Sequence, residues 1–408
     1  MARQRIVFVN RFFYPDHSAT AQILADLCFA LSRDGWDVRV VTSRAVYDDT
    51  SIQLPAVEHV DGVRIERIWT TRFGRKSLAG RAMDYLSFYP AALWALLRII
   101  RQGDIVIAKT DPPLISVVVG LAARLRGARH INWLQDLYPE VAAELGMRAL
   151  SGVSGKALRI VRNMSLRNAR ANVVIGDRMA ERLGAQGVAP HEITVIHNWS
   201  DDELVTPLDR GQCELRRDWG FEDDAFVVGY SGNLGRAHEV ETLLGAAGRL
   251  RHDPRIRFLF IGGGHHGDGL AGRVAAEGLS NFMFQPYQPK HMLAQSLAVP
   301  DVHWLSLRPE LEGLIVPSKF YGIAAAGRPV LSVTDPDGEI ARLVRLHDCG
   351  LVVSPGNDDD LACAIMALAA SPALCRQMGE SARAMLLANY TRRESIARWS
   401  ELLRVLPD

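Results

Sequence analysis

Short apolar runs alternate along nearly the whole chain with longer stretches in which apolar positions recur at helical spacing. Near the N-terminus RIVFVN reads as a strand, ATAQILADLCFALSRDG as an amphipathic helix and DVRVVTS as a second strand. This is a βαβ unit and predicts a parallel sheet. Strands VRIERIW, DIVIAK and RHINWLQD follow, and ANVVIGD precedes another helix before ITVIHN. The polar stretch DDELVTPLDRGQ interrupts the pattern, which restarts at FVVGYSGN and runs through the helical ETLLGAAGRLRHD to FLFIGG. Strands NFMFQP, VHWLSL, RPVLSV and GLVVSP come next, and Asp359 to Leu406 is helical in pattern. The predicted fold class is α/β, with two Rossmann-like doubly wound domains, 1–200 and 201–385, facing a cleft onto which strand ends open. A C-terminal helix at 386–408 is expected to pack back on the first domain.

Composition narrows the class. With 48% hydrophobic and 23% charged residues over 408 positions, the chain is globular rather than disordered or fibrous. Its 47 basic residues balance 46 acidic ones, so no overall field gathers nucleic acid. The five cysteines are odd in number, scattered and never in a CxxC pair, which points to a reducing, cytoplasmic setting. MARQRIVFVNRFFYPD is interrupted too early to serve as a secretory signal, and no apolar run reaches the roughly 18 to 20 residues a spanning helix needs. Leu86 to Ile100, rich in Trp and Tyr, follows a basic stretch containing Arg64, Arg67, Arg72, Arg75, Lys76 and Arg81. Two readings stay open for it: a surface resting on anionic lipid, with Tyr85, Phe88, Tyr89 and Trp94 inserting, or a buried helix beside a solvated loop.

Candidate chemistry gathers in the second half. Tyr230-Ser231-Gly232-Asn233-Leu234-Gly235-Arg236 follows a strand and precedes a helix. Glycines there let backbone approach a phosphate, a helix N-terminus offers N–H groups, and Arg236 adds a cation. Gly262-Gly263-Gly264 ends the next strand in the same manner. Either turn alone is explained by backbone geometry; two on neighbouring strand ends point to a phosphate or nucleotide site. Neither completes a GxGxxG fingerprint, which disfavours NAD.

The ordered set YSGNLGRAHEVETLL, FLFIGGG, NFMFQPY and VPSKFYGIAAAGRPV resembles the C-terminal domain of the family-four retaining glycosyltransferases. YPDHSATAQILADLCFAL, INWLQDLYPE and ARANVVIGDRMAERL with ITVIHNWSD resemble their N-terminal domain, so nearly the whole chain is covered. Bacterial enzymes of surface-polysaccharide assembly are the most similar subgroup. The resemblance implies a glycosyltransferase B fold, retention of configuration, a UDP-sugar donor and no metal or other cofactor. A polyprenyl-diphosphate-linked glycan is the expected acceptor, met at the anionic inner face of the membrane. The sequence itself shows no DxD-like carboxylate pair at a strand end, and the adjacent His265 and His266 make a poor ligand set.

By position, the resemblance assigns Gly232, Asn233, Gly235, Gly262, Gly263, Tyr287 and Ser318 to the donor site. Arg236 and Lys319 neutralise its diphosphate, and Glu312 contacts the donor sugar. Tyr14, His17, Ser18 and Thr20, in the loop after the first strand, receive the acceptor. Asp136 orients the acceptor hydroxyl or stabilises developing positive charge; an Asp ahead of a helix is equally an ordinary cap. The chain departs from the family where the second of two glutamates is expected, which aligns with Gly322, and where a phosphate Arg and a Lys align with Asn233 and His238. Two rivals follow, a sugar-nucleotide 2-epimerase and a non-catalytic binding subunit, both separable from a transferase by product analysis.

Overall fold

The computed structural model describes residues 4–406 except 48, 50, 75–76, 148–149, 151 and 264–266. Arg75, Lys76, Gly264, His265 and His266 therefore lie outside the described residues. The chain divides into two compact α/β units, Met1–His197 with Ile396–Asp408, and Asn198–Ser395.

The first unit is built on β1 (Arg5–Val9), β2 (Asp37–Ser43), β3 (Val57–Val60), β4 (Val63–Ile68), β5 (Ile105–Lys109), β6 (Arg129–Leu134), β7 (Ala171–Val174) and β8 (Ile193–Val195). Their order is β3-β4-β2-β1-β5-β6-β7-β8, parallel throughout except for β3, which runs antiparallel to β4. β1, β5 and β7 are buried along their whole length, as expected of strands covered by helices on both faces. The order reverses between β1 and β5, where the chain leaves both strands at their carboxyl ends.

The second unit contains β9 (Phe226–Asn233), β10 (Ile256–Gly263), β11 (Phe282–Gln285), β12 (Val302–Ser306), β13 (Val330–Val333) and β14 (Gly350–Val353). All are parallel in the order β11-β10-β9-β12-β13-β14, so the reversal falls between β9 and β12. One face of this sheet buries Tyr230, Phe258, Phe260 and Trp304 in a continuous core. The polar stretch after Asn198 belongs to this unit: Arg383 donates to the carbonyls of Val205 and Asp202 at 3.0 and 3.1 Å.

The C-terminal segment is broken rather than one helix. A helix Pro372–Asn389 ends at Tyr390, and a new one, Arg392–Val405, begins. Within the first unit Trp399 is fully buried, its ring 4.7 Å from that of Trp133 on β6, and Arg129 donates to the carbonyl of Leu406.

Candidate active site

In the second unit β9 and β10 run side by side past the sheet edge, pairing Gly232 with Gly262 and Asn233 with Gly263. The pairing closes with Leu234 N–H donating to Gly263 O at 2.8 Å. Gly232 and Gly262 both have φ of +127°, a backbone region that side-chain-bearing residues rarely occupy. Space demands glycine as well. A Cβ on Gly232 would sit 2.5 Å from Lys319 Cε, and one on Gly262 would sit 2.5 Å from Gly232 O. The Tyr287 ring, largely exposed, lies over the same strand ends, 3.1 Å from the Cβ position of Gly262 and 3.4 Å from that of Gly263.

Lys319 opens the helix Lys319–Ala325 immediately after Ser318. Its ammonium donates to Asn233 O at 3.3 Å and lies 5.2 Å from the Tyr230 ring centroid. Burial lowers its pKa to about 8. The structure thus brings Gly232, Asn233, Gly262, Gly263, Tyr287 and Lys319 together. Arg236 and Asn233 are exposed on the same turn and Gly235 is half-buried. Behind them, the Tyr230 hydroxyl donates to Asn233 O at 2.7 Å and meets His238 Nε2 at 3.0 Å, while His238 Nδ1–H donates to Ser306 O at 2.9 Å. His238 thereby ties the β9 turn to the end of β12.

One expectation changes. The helix after the glycine turn starts only at Glu241, and the Glu239 carboxylate takes its first N–H groups, from Glu241 at 2.9 Å and Thr242 at 3.2 Å. That helix end is occupied by the chain's own anion. Glu312 bonds to the neighbouring helix: its Oε2 accepts from Glu339 N at 3.1 Å, at the start of Glu339–Leu346. Its Oε1 fills the space that a Cβ on Gly338 would need.

In the first unit the reversal point is bridged by Arg11 N–H donating to Asp111 O and Asp111 N–H donating to Asn10 Oδ1. Asp16, buried, holds the following loop through Ser18 N at 2.8 Å and Tyr47 N at 2.6 Å. His17 and Tyr14 are exposed on that loop. Ser18 and Thr20 are not loop residues proper; Ser18 stands at the N-cap position of the helix Ala19–Arg33, with no side-chain capping bond, and Thr20 lies in its first turn.

Asp136 stands half-buried after β6, its pKa raised to about 6 by burial and by Asp111, against the lowering influence of Lys109. Lys109, the last residue of β5, was not singled out from the sequence. It is fully buried, its ammonium 3.6 Å from the Trp133 ring centroid and without a hydrogen-bond partner among the described residues. Burial pushes its pKa well below the usual lysine value. With Thr110, Asp136, Tyr138 and Arg162 it lines a cavity of about 20 Å³, room for one water. A lysine closing the otherwise apolar run IVIAK is the only signal the sequence offers. A wider, open depression of about 610 Å³ lies at the opposite strand ends, beside Trp36, Asp37 and Asp61, and contains none of these groups.

Residues 18–199 match the glycosyl transferase 4-like domain family and residues 212–385 the glycosyl transferases group 1 family. Together with the paired α/β units, this places the chain among the glycosyltransferases of the GT-B fold. Among curated relatives it is 25% identical to WbjE of Pseudomonas aeruginosa, named as a glycosyltransferase, over 75% of this chain and 76% of that one. It is 24% identical to WcaI of Escherichia coli K12, named for glycosyl transfer in colanic acid biosynthesis, over 81% and 83%. In fold it is similar to the Anabaena HepE protein, solved in complex with UDP-glucose, with a TM-score of 0.73 at 16% identity over 99% of this chain and 100% of that one. Sucrose-phosphate synthase from Thermosynechococcus elongatus gives a TM-score of 0.78 at 19% identity over 98% of both chains.

Proposed function

We propose that the protein transfers a sugar, with retention, from a UDP-sugar to a polyprenyl-diphosphate-linked glycan during surface-polysaccharide assembly at the cytoplasmic face of the membrane. The carrying observation is the paired positive-φ glycines at the carboxyl ends of β9 and β10 with the half-buried Lys319 ammonium against them, a cradle for a diphosphate next to the reversal point of the second sheet. The names of WbjE and WcaI and the UDP-glucose complex of HepE support the reading.

In this reading the bond from the sugar's anomeric carbon to the diphosphate oxygen breaks as a bond to the acceptor hydroxyl oxygen forms on the same face. The hydroxyl proton passes to the leaving diphosphate. Lys319 and Arg236 stabilise the charge that gathers on that diphosphate, the role a divalent cation fills elsewhere, and Asp136 orients the hydroxyl. The first unit supplies Tyr14, His17, Ser18 and Thr20 to the acceptor.

Because a ligand that binds only the native state stabilises it by mass action, UDP or a UDP-sugar should raise the melting temperature and NADH should not. Stabilisation by NADH alone would exclude a transferase. Alanine at Lys319 or Arg236 should lower kcat/KM at least about tenfold, about 1.4 kcal/mol of transition-state stabilisation. Near-normal turnover in both variants removes them from the site.

The lowered pKa of Lys319 adds a pH signature. A bound diphosphate favours the ammonium, so UDP affinity is greatest below pH 8 and weakens as the pH rises through about 8, where the free protein loses the charge. Calorimetric titration at pH 7 and pH 9.5 should show weakening of about tenfold, and Lys319→Met should abolish the difference. An unchanged wild-type affinity across that range would contradict the assignment.

A further inference from the structure

The helices Leu78–Ile99, Ile115–Arg126 and Val153–Asn168 lie side by side in the first unit, the first packing on the second and the second on the third. The inward sides of the first two bury Phe88, Ala92, Leu96, Val119 and Ala122 in the core. Of the residues expected to insert into lipid, Phe88 is thus core, Tyr89 donates its hydroxyl proton to Pro113 O, and half-buried Tyr85 stacks under the Arg11 guanidinium. Only Trp94 points outward.

The outward side is nonetheless apolar. On the first helix Met83, Leu86 and Trp94 are each at least 50% exposed, spaced to form one stripe. The adjacent helices continue it with Leu121 and Leu125, then with Ile160 and Met164. Large apolar side chains gathered on neighbouring helices mark an interaction surface, whereas single ones need no explanation.

Charge identifies the occupant. These three helices, of 22, 12 and 16 residues, contain one carboxylate, Asp84, which is fully buried against Arg11. Every exposed charged side chain on them is a cation, including Arg98, Arg124, Arg126, Lys156 and Arg167. In a chain with 46 acidic residues to 47 basic ones, this face is a local exclusion of negative charge. Apolar stripes edged by cations alone suit a surface that is apolar at depth and anionic at its boundary. Among the described residues no single helix is long and apolar enough to cross a membrane, so such a face would lie on the bilayer rather than span it.

We propose that this three-helix face docks the protein on membranes containing anionic lipid, with Leu86, Trp94 and Leu125 entering the headgroup region. The proposal rests on the reading of a lipid-carried acceptor and names the surface that meets the lipid. Co-sedimentation of the full chain with phosphatidylglycerol-containing vesicles tests it, beside Leu86→Ser/Trp94→Ser/Leu125→Ser and pure phosphatidylcholine vesicles. The expected result is at least tenfold weaker binding for the variant, and for wild type on phosphatidylcholine or in raised salt. All three positions are exposed, and an unchanged melting temperature and UDP shift confirm that the variant is folded. Equal pelleting of variant and wild type would move docking elsewhere and overturn the face while leaving the membrane reading standing. A wild type that never pellets would overturn both, with donor binding and transfer to a soluble acceptor untouched. A dimer in sedimentation velocity that the variant converts to monomer would assign the face to a second copy of the chain and equally overturn the proposal.

Discussion

Replacing Asp84 with alanine is expected to destabilise the first unit by about 3–5 kcal/mol, the scale seen when one partner of a buried ion pair is removed. Asp84 is fully buried and accepts four hydrogen bonds: from Arg11 Nη2 and Thr71 Oγ1 at 2.8 Å, Phe73 N at 3.0 Å and Gly74 N at 3.1 Å. Removing it leaves the buried Arg11 guanidinium without its carboxylate and frees the part-buried backbone N–H groups of Phe73 and Gly74. Arg11 stands at the reversal point of the sheet, its backbone N–H bonded to Asp111 O, so the loss reaches the proposed acceptor side. Thermal unfolding of the full chain with and without UDP separates the units, since UDP is expected to stabilise the second one. The transition that UDP does not move should fall in the variant, and Asp84→Asn should recover part of it. A loss below about 1 kcal/mol would mean that Arg11 finds another partner at no cost.

Asp84 also shows where sequence reading stops. Its place in a helix of apolar character, LAGRAMDYLSFYPAALWALLRI, is legible, and so is a basic stretch ahead of it. Neither tells that Arg11, 73 positions away, is its partner. The parallel strands were readable because burial on both faces makes them continuous apolar runs, and those runs fall on β1, β2, β5, β6, β9, β10 and β12. β3 was missed because VEHV is an edge strand with half its side chains in solvent, so it lacks an apolar run. Its one local signal was Asp61-Gly62, both at positive φ in the tight turn that joins it to β4. The Leu86 to Ile100 segment was legible as apolar and rich in Trp and Tyr but its facing was not: the apolar positions run on both sides of the helix, and only the packing decides that Phe88 goes in and Trp94 out.

The glycine turns were legible as turns, since Gly at strand ends advertises itself. What the sequence did not reveal is that Gly232 and Gly262 pair with each other across the strands while Glu239 claims the helix end beside them. Lys109 was hidden for a related reason. Periodicity takes no account of its charge, and its burial beside Trp133 and Asp136 arises because β5 and β6 with its following turn meet only in the folded sheet.

Adjacent glycines at the proposed donor site give the second large effect, and they should respond in opposite ways. Gly262→Ala forces a side-chain-bearing residue to φ of +127° and drives its Cβ to 2.5 Å from Gly232 O, a backbone atom with no freedom to rotate away. Strain and overpacking together should cost roughly 2–4 kcal/mol in the second unit. Relief requires β9 to move at the point where Asn233 O receives the Lys319 ammonium, so the variant should also lose most of its UDP-induced thermal shift. Gly263→Ala meets nothing of the kind. Its φ is not positive and its Cβ would rest 3.4 Å from Tyr287 Cε2, an ordinary contact with an exposed ring that can tilt. It should melt within a few degrees of wild type, equivalent to less than about 1 kcal/mol, and keep the UDP shift. Melting curves of the two variants with and without UDP decide the matter. Equal behaviour of both would mean that the paired strand ends are not the rigid cradle on which donor binding depends.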